Sequence, residues 1–331
     1  NQNKNANFIP LTVADMEFET APEIVDALAT YIQQQPLGYS NPNQDYYDSV
    51  LSWYKTTQNL DLTKKELLLT NGVISALHAL IHVLTKPNDE ILITSPVYTH
   101  FFKAPTSMNR IPLDIPLIYK DGYTMDYEGL DLALTNSSCK LMILCNPHTP
   151  VGRVWSKEEL EKLHEITTKH NVTVISDEIH SDIILNDHDF TSYRHIDKNC
   201  ILTTSASKTF NLAGLQLANM FIPNKKIRSE VIQFHQYNGI HDPNALSYIA
   251  TEAAYTKGYQ WHKESLSVIY DNYLLLKDLL SQSPYKVTPL EGTYLLWINY
   301  SSLNTDEETF INTLKANDLY VGKGSDYGNS G

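Results

Sequence analysis

Apolar and polar positions along this chain follow two rhythms. From Gly72 to Leu84 the residues Val73, Ile74, Leu77, Leu80, Ile81 and Leu84 recur at helical spacing and predict a helix with one apolar face. Short unbroken apolar runs surround it at 91–94 (ILIT), 141–145 (LMILC), 172–176 (VTVIS), 201–204 (ILTT) and 217–222 (LANMFI). Runs of that kind suit strands buried on both faces, as in a parallel sheet. Between two of them the stretch 156–159 (SKEE) is a capping box that opens a helix to about His170. Strand, helix, strand in this order predicts a doubly wound α/β layer. Nearer the start, Thr20 is expected to cap a helix with Pro22 in its first turn and Glu23 three residues after the cap.

The tail reads differently. A long helical stretch over about 244–281 is interrupted by Gly258. A strand at 294–298 (YLLWI) and a helix opened by 305–308 (TDEE) follow it. The expected organisation is a large domain over 36–260, a small C-terminal α+β domain over 261–331, and an N-terminal segment, 1–35, packing with the small one. There are no internal repeats and no low-complexity linker.

Composition narrows the classes. The chain has 331 residues, 42% hydrophobic and 19% charged, an ordinary globular balance. Its formal net charge of −13 argues against nucleic acid as a partner, because phosphate backbones need a basic face. No run approaches the roughly 18 apolar residues of a membrane span. The start, 1–5, is polar without a signal-peptide core, so a cytoplasmic protein is expected. The three cysteines, Cys139, Cys145 and Cys200, fit neither a zinc spacing nor a disulfide framework.

Ligands of an open α/β sheet bind beyond the carboxyl ends of its strands. Tyr98 lies in such a place after 91–94, and Asn146 after 141–145. Asp177, Glu178, His180 and Asp182 follow 172–176, and Ser205, Ser207 and Lys208 follow 201–204. A lysine there can form a Schiff base with an aldehyde if its site lowers the amine's pKa from about 10.4. A carboxylate such as Asp177 can hold a protonated pyridine nitrogen. Tyr98 can stack on the ring, and Asn146 and His180 can hydrogen-bond its phenolic oxygen. Ser205, Ser207 and the amides at the start of the helix near Gly72 can hold a phosphate. That set describes pyridoxal 5′-phosphate. A metal cluster at 177–182 lacks further ligands at a suitable spacing, so no metal is assigned. Glu178 and Asp182 read as solvated or structural charges, and Arg153 as an ion-pair residue.

The segments VADMEF (13–18), LGYSNP (37–42), TNGVISAL (70–77), SPVY (95–98), CNPHTPVGRVW (145–155), SDEIHSD (176–182) and SASKTFNLAGLQ (205–216) resemble those of fold-type I pyridoxal-phosphate enzymes of the class I/II aminotransferase family. Within that family the chain is most similar to the MalY/PatB-like carbon–sulfur β-lyases, which include cystathionine β-lyases and cystalysin. The resemblance implies a mostly parallel, seven-stranded-type sheet between helices, with a smaller α+β domain. It implies Lys208 as the Schiff-base lysine and proton shuttle, Asp177 on the pyridine nitrogen, and Asn146 and His180 on the phenolic oxygen. Tyr98 would stack on the ring, while the Val73 and Ile74 amides and the Ser205 and Ser207 hydroxyls would meet the phosphate. Tyr39 would reach the phosphate of a neighbouring subunit, which implies a homodimer.

Two departures bear on function. Many aminotransferases carry an arginine eight residues after the lysine, where this chain has Gln216, and this favours the lyase branch. The family binds the substrate α-carboxylate with an arginine near its C-terminus, and none of Arg110, Arg153, Arg194 and Arg228 matches it. The chain is therefore expected to be a piece of a longer protein. The expected activity is β-elimination of cystathionine or other cysteine S-conjugates, with amino-acid transamination and a non-catalytic, cofactor-binding regulator as alternatives.

Overall fold

The computed structural model describes residues 9–328; residues 1–8 and 329–331, at the outer ends of the two terminal segments proposed above, lie outside that range. The chain opens with β1 (Ile9–Leu11), α1 (Pro22–Gln34), α2 (Gln44–Gln58), β2 (Leu67–Thr70), α3 (Val73–Leu84), β3 (Glu90–Ile93), α4 (His100–Ser107) and β4 (Ile111–Asp114). It continues through β5 (Ile118–Tyr119), β6 (Tyr123–Thr124), α5 (Tyr127–Thr135), β7 (Leu141–Cys145), α6 (Lys157–Lys169), β8 (Thr173–Asp177), α7 (Tyr193–Ile196), β9 (Ile201–Thr204), α8 (Ala206–Thr209) and β10 (Ala218–Phe221). The remainder is α9 (Lys225–Tyr237), α10 (Ala245–Lys257), α11 (Tyr259–Leu279), β11 (Lys286–Val287), β12 (Ile298–Asn299), α12 (Glu307–Ala316) and β13 (Leu319–Val321).

Seven strands form one sheet in the order β2-β10-β9-β8-β7-β3-β4. Neighbours from β4 to β9 are parallel, whereas β10 is antiparallel to both β9 and β2. The run at 217–222 is thus a buried strand, as expected, but it points against the others. Continuous burial fixes the apolar run and leaves strand direction open. The carboxyl ends of β2, β3, β7, β8 and β9 share one edge. Strand order reverses between β3 and β7, which opens a crevice at that edge.

Apolar side chains cover both faces of the sheet. One group joins α3 and α4 to the strands through Leu77, Leu80, Ile81 and Phe101. Another packs Trp155, Leu160, Leu163 and Tyr193 behind β7 and β8. Each such fully buried side chain contributes about 1.5–3 kcal/mol relative to exposure. A third group gathers Trp53, Tyr54, Phe210 and Tyr255 between α2, α10 and the turn after β9. A small fourth group, Ile183, Leu185, Ile269, Tyr273 and Leu290, joins the tail to the loop after β8.

Local chemistry shapes several elements. Ser156 and Glu159 form the expected capping box at α6. At α1, however, the cap is Ala21 without a side-chain hydrogen bond, because Pro22 takes the first helical position and leaves Thr20 one residue outside. Gly258 divides the long helix into α10 and α11. The strand expected at 294–298 shrinks to β12. Residues just before it bond to loops instead: Thr293 donates its amide to the Ile183 carbonyl, and Gly292 to Gly152. The N-terminal segment divides between two neighbours. Strand β1 runs parallel to β13, and α1 lies against α10.

Candidate active site

Asp177 ends β8 with its carboxyl buried. Oδ1 accepts the Ile179 amide at 3.2 Å and the Thr203 hydroxyl at 3.3 Å. Burial pushes this carboxyl up to about 7, against those hydrogen bonds and the Lys208 charge. On the neighbouring strand end, Asn146 is 0% exposed. Its Nδ2 donates to the Thr191 carbonyl at 3.0 Å, and its Oδ1 is buried without a partner.

Lys208 sits on the short helix α8. Ser205 caps that helix by accepting the Ser207 amide at 3.0 Å, and its hydroxyl also bonds the Leu217 carbonyl at 2.6 Å. The cap orients the turn so that Lys208 Nζ donates to the Ala14 carbonyl at 2.6 Å. Burial pushes the amine below the usual lysine range, opposed by the Asp15 and Asp177 carboxylates. Desolvation outweighs the carboxylates, so this amine loses its proton more readily than a surface lysine.

His180 is 4% exposed. Its Nδ1 lies 3.1 Å from the Thr149 hydroxyl, and its Nε2 is buried without a partner. Burial, together with the Lys208 charge, pushes the imidazole down to about 3. The Tyr294 ring meets it edge-on at 5.8 Å, and the Tyr294 hydroxyl donates to Ala14 O at 2.8 Å, the oxygen that Lys208 also uses. Tyr98 is partly buried after β3, and burial followed by the Asp177 charge raises its phenol. At this sheet edge the Lys208 charge thus acts on Asp177 and His180, and the Asp177 charge on Tyr98.

Val73 and Ile74 begin α3 at the same edge, after Gly72. Gly72 has φ +96°, where a side chain is strained, and it caps the helix without any side-chain hydrogen bond. The first amides of α3 are therefore open to an anion. Ser207 lies 2.8 Å from the Ser205 hydroxyl. Tyr39 is not brought to this point. It is fully exposed in a groove of about 950 Å³ that also includes Leu37, Tyr47, Ile232 and His241.

Glu178 and Asp182 are not solvated. Glu178 Oε1 accepts the Ser176 hydroxyl and the Tyr193 amide, both at 2.8 Å. Asp182 accepts Trp53 Nε1 at 3.0 Å and the Thr209 hydroxyl at 2.9 Å. Both are buried struts, because the turns after β8 run inward beneath α2 and α7. Arg153 pairs with Glu159 at 2.7 Å and with Glu291, as an ion-pair residue should. Among the described residues no group of three or more His, Cys, Asp or Glu side chains is placed to hold a metal ion.

Sequence reasoning missed Ala14, Thr149, Asn211 and Tyr294 as site residues. Asn211 Nδ2 donates to the Met16 carbonyl at 2.7 Å, and the Met16 amide donates back to Asn211 Oδ1 at 3.1 Å. Residues 14–16 are thereby laid across Lys208. The one signal in the sequence was that VADMEF, Thr149 and Asn211 lie in the quoted segments; Tyr294 had none.

The family described as Aminotransferase class I and II matches residues 6–330. Cystathionine beta-lyase PatB of Bacillus subtilis is 35% identical over 98% of this chain and 86% of its own length. Protein MalY of Escherichia coli is 28% identical over 98% of this chain and 85% of its own. The crystal structure of cystalysin from Treponema denticola, described as containing a pyridoxal 5′-phosphate cofactor, superposes with a TM-score of 0.95. It is 32% identical and covers 99% of this chain and 85% of that one. A PLP-bound C-S lyase from Staphylococcus hominis gives a TM-score of 0.91 at 30% identity, covering 97% of this chain and 84% of that one.

Proposed function

We propose, because the chain belongs to the aminotransferase class I and II family, that it is a pyridoxal-phosphate-dependent carbon–sulfur β-lyase. It cleaves cystathionine or related cysteine S-conjugates to pyruvate, ammonia and a thiol. The observation that carries this reading is the Lys208 amine, desolvated and in electrostatic reach of both Asp177 and His180. The likeness to cystathionine β-lyases and C-S lyases supports the choice of reaction.

The residues present fit the cofactor. Asn146 Oδ1 and His180 Nε2 are buried without partners, a cost of about 1–3 kcal/mol each that polar atoms of a bound group relieve. Asp177 is a buried carboxyl suited to a ring nitrogen that carries a proton, and the start of α3 suits a phosphate. In this reading Asp177 holds the ring nitrogen, Asn146 and His180 the phenolic oxygen, and Tyr98 one ring face. The Val73 and Ile74 amides, with Ser207 and Ser205, hold the phosphate. Ser205 contributes chiefly through Ser207, since its own hydroxyl is engaged at Leu217.

Pyridoxal phosphate bound there supplies an electron sink for the pair left at the substrate Cα. Lys208, neutral at Nζ, takes the proton from Cα, and its partial burial favours that neutral form. The thiolate departs from Cβ, and the proton held on Nζ is at hand for the sulfur. The remaining three-carbon fragment reacts with water to give pyruvate and ammonia. Asp177, as a carboxylate, keeps the proton on the ring nitrogen throughout.

The reading includes a cytoplasmic homodimer. Tyr39, exposed in its own chain, extends to the partner's phosphate. The three cysteines are free and buried, which suits a reducing compartment. No helix of the described residues is long and apolar enough to cross a membrane. The test incubates the cofactor-loaded protein with cystathionine, and separately with an aromatic amino acid and 2-oxoglutarate. A higher kcat/KM for pyruvate formation is expected, and faster glutamate formation would make the protein an aminotransferase. An active monomer in sedimentation would remove the dimer.

A further inference from the structure

His180 places its two ring nitrogens in different settings. Nδ1 lies 3.1 Å from the Thr149 hydroxyl, while Nε2, on the other side of the ring, is buried and has no partner in the chain. Because the imidazole is pushed down to about 3, it is neutral, and one nitrogen alone carries hydrogen. Which one depends on the direction of the Thr149 bond.

Two acceptors lie near the Thr149 hydroxyl. One is His180 Nδ1. The other is the Cys145 sulfur, a weaker acceptor that already receives the Thr149 amide at 3.3 Å. The thiol's own hydrogen is directed to the Pro147 carbonyl, 3.4 Å away. Donation to the imidazole is the stronger choice, and it leaves Nδ1 bare and Nε2 protonated. Thr149 has little freedom to turn elsewhere: it is 4% exposed, and Pro147 and Pro150 hold the loop around it.

We propose that Thr149 is a positioning residue that fixes His180 in the tautomer with hydrogen on Nε2, and so makes it a donor to the anionic oxygen of the cofactor ring. The last clause rests on the proposed function; the tautomer itself does not. A neutral donor suits an oxygen anion in this buried setting, because it stabilises the anion without placing a further positive charge out of water. The opposite tautomer would present a lone pair to that oxygen and repel it.

The experiment reads the tautomer directly in cofactor-free protein. Histidine is labelled with nitrogen-15, and the His180 ring is assigned by its loss in His180→Phe. The two ring nitrogens are distinguished through their couplings to the carbon-bound ring protons. Wild type should show Nε2 protonated, Thr149→Ser should keep that state, and Thr149→Val should shift the population towards hydrogen on Nδ1. In the loaded protein, pyridoxal phosphate affinity should fall about tenfold in Thr149→Val and recover to near wild type in Thr149→Ser, the size expected for one hydrogen bond to a charged acceptor. In a His180→Phe background, Thr149→Val should add nothing further. Protonated Nδ1 in wild type, or an unchanged tautomer in Thr149→Val, overturns the assignment. If Thr149→Val fails to fold, the wild-type spectrum and the Ser variant still decide. If Nε2 is protonated as proposed but the protein binds no pyridoxal phosphate, the cofactor reading fails while the Thr149–His180 assignment stands.

Discussion

The two walls of the site are built by different means. Asn146, Asp177 and the turn that carries Lys208 stand on the ends of adjacent parallel strands, where the register Cys145↔Asp177 and Asp177↔Thr203 fixes their spacing. The opposite wall is residues 14–16, held by one hydrogen bond from Lys208 and a pair with Asn211, some 195 residues away, and by one from Tyr294, 280 away. The first wall inherits its precision from a sheet that the whole core supports. The second depends on a few contacts, each worth about 0.5–1.5 kcal/mol. Damage to the strand-end wall should therefore strike the chemistry or the fold, and damage to the other should loosen the site while leaving the fold in place.

The sharpest break is at Lys208. Lys208→Ala should lower pyruvate formation on the order of a thousandfold, since it removes the proton-transferring group. Borohydride should then fix no cofactor to the chain. It also tests the other wall: with one of its bonds to Ala14 O gone, amides of 13–18 should exchange faster, while those of β8 should not change.

Asp177→Asn is next, with a loss of about a hundredfold in kcat, as for one preorganised charge. Its pH signature belongs to the cofactor-free protein. Burial holds this carboxyl at about 7, above its ordinary value. An acid raised on folding contributes its full stability below the unfolded pKa and loses it as pH rises through the folded one. Asp177 thus contributes a fall in stability of cofactor-free protein from about pH 4 to pH 7, opposed over much of that range by the His180 and His148 imidazoles, which burial pushes down to about 3 and about 4, and Asp177→Asn should remove its share of the fall, a few kcal/mol. Glu178, also pushed up to about 7 by burial, retains part of the slope. Denaturant midpoints measured across that range check both statements.

The smallest effect, and the one that bears most directly on the second wall, comes from Asn211→Ala. It removes both bonds to Met16, about 1–3 kcal/mol of local stability. Exchange of amides 13–18 should quicken tenfold or more, kcat/KM should fall about tenfold, and the global midpoint should barely move. A large drop in that midpoint would mean that residues 14–16 belong to the cooperative core, and the contrast between the walls would be lost.

The same contrast governs what the sequence made legible. Strands β3, β7, β8 and β9 are buried on both faces and read as unbroken apolar runs, so the groups that follow them could be placed on one edge. Strand β4 was not expected: it lies at the edge, is only partly buried, and contains Pro112. Strand β2 was missed too, a four-residue run directly after Lys64, Lys65 and Glu66. Asp177 and Lys208 were legible because their chemistry is carried by their own side chains. Ala14 was not, since its contribution is a carbonyl oxygen that every residue has. Nor was Tyr294, whose partner is 280 positions away. For Glu178 and Asp182 the sequence left solvated and structural roles open, because charge alone does not tell whether a turn runs outward or beneath a helix; the structure shows the structural one.

The shared acceptor at position 14 has a further consequence. The oxygen that receives both Lys208 and Tyr294 belongs to the peptide bond, so substituting the side chain of residue 14 leaves it in place. Systematic scanning by codon replacement would score the position as tolerant, and sequences could drift there freely while the contact persists. Backbone chemistry reaches it: exchanging the amide that follows Ala14 for an ester makes that oxygen a poorer acceptor and weakens its hold on both partners without altering any encoded side-chain group.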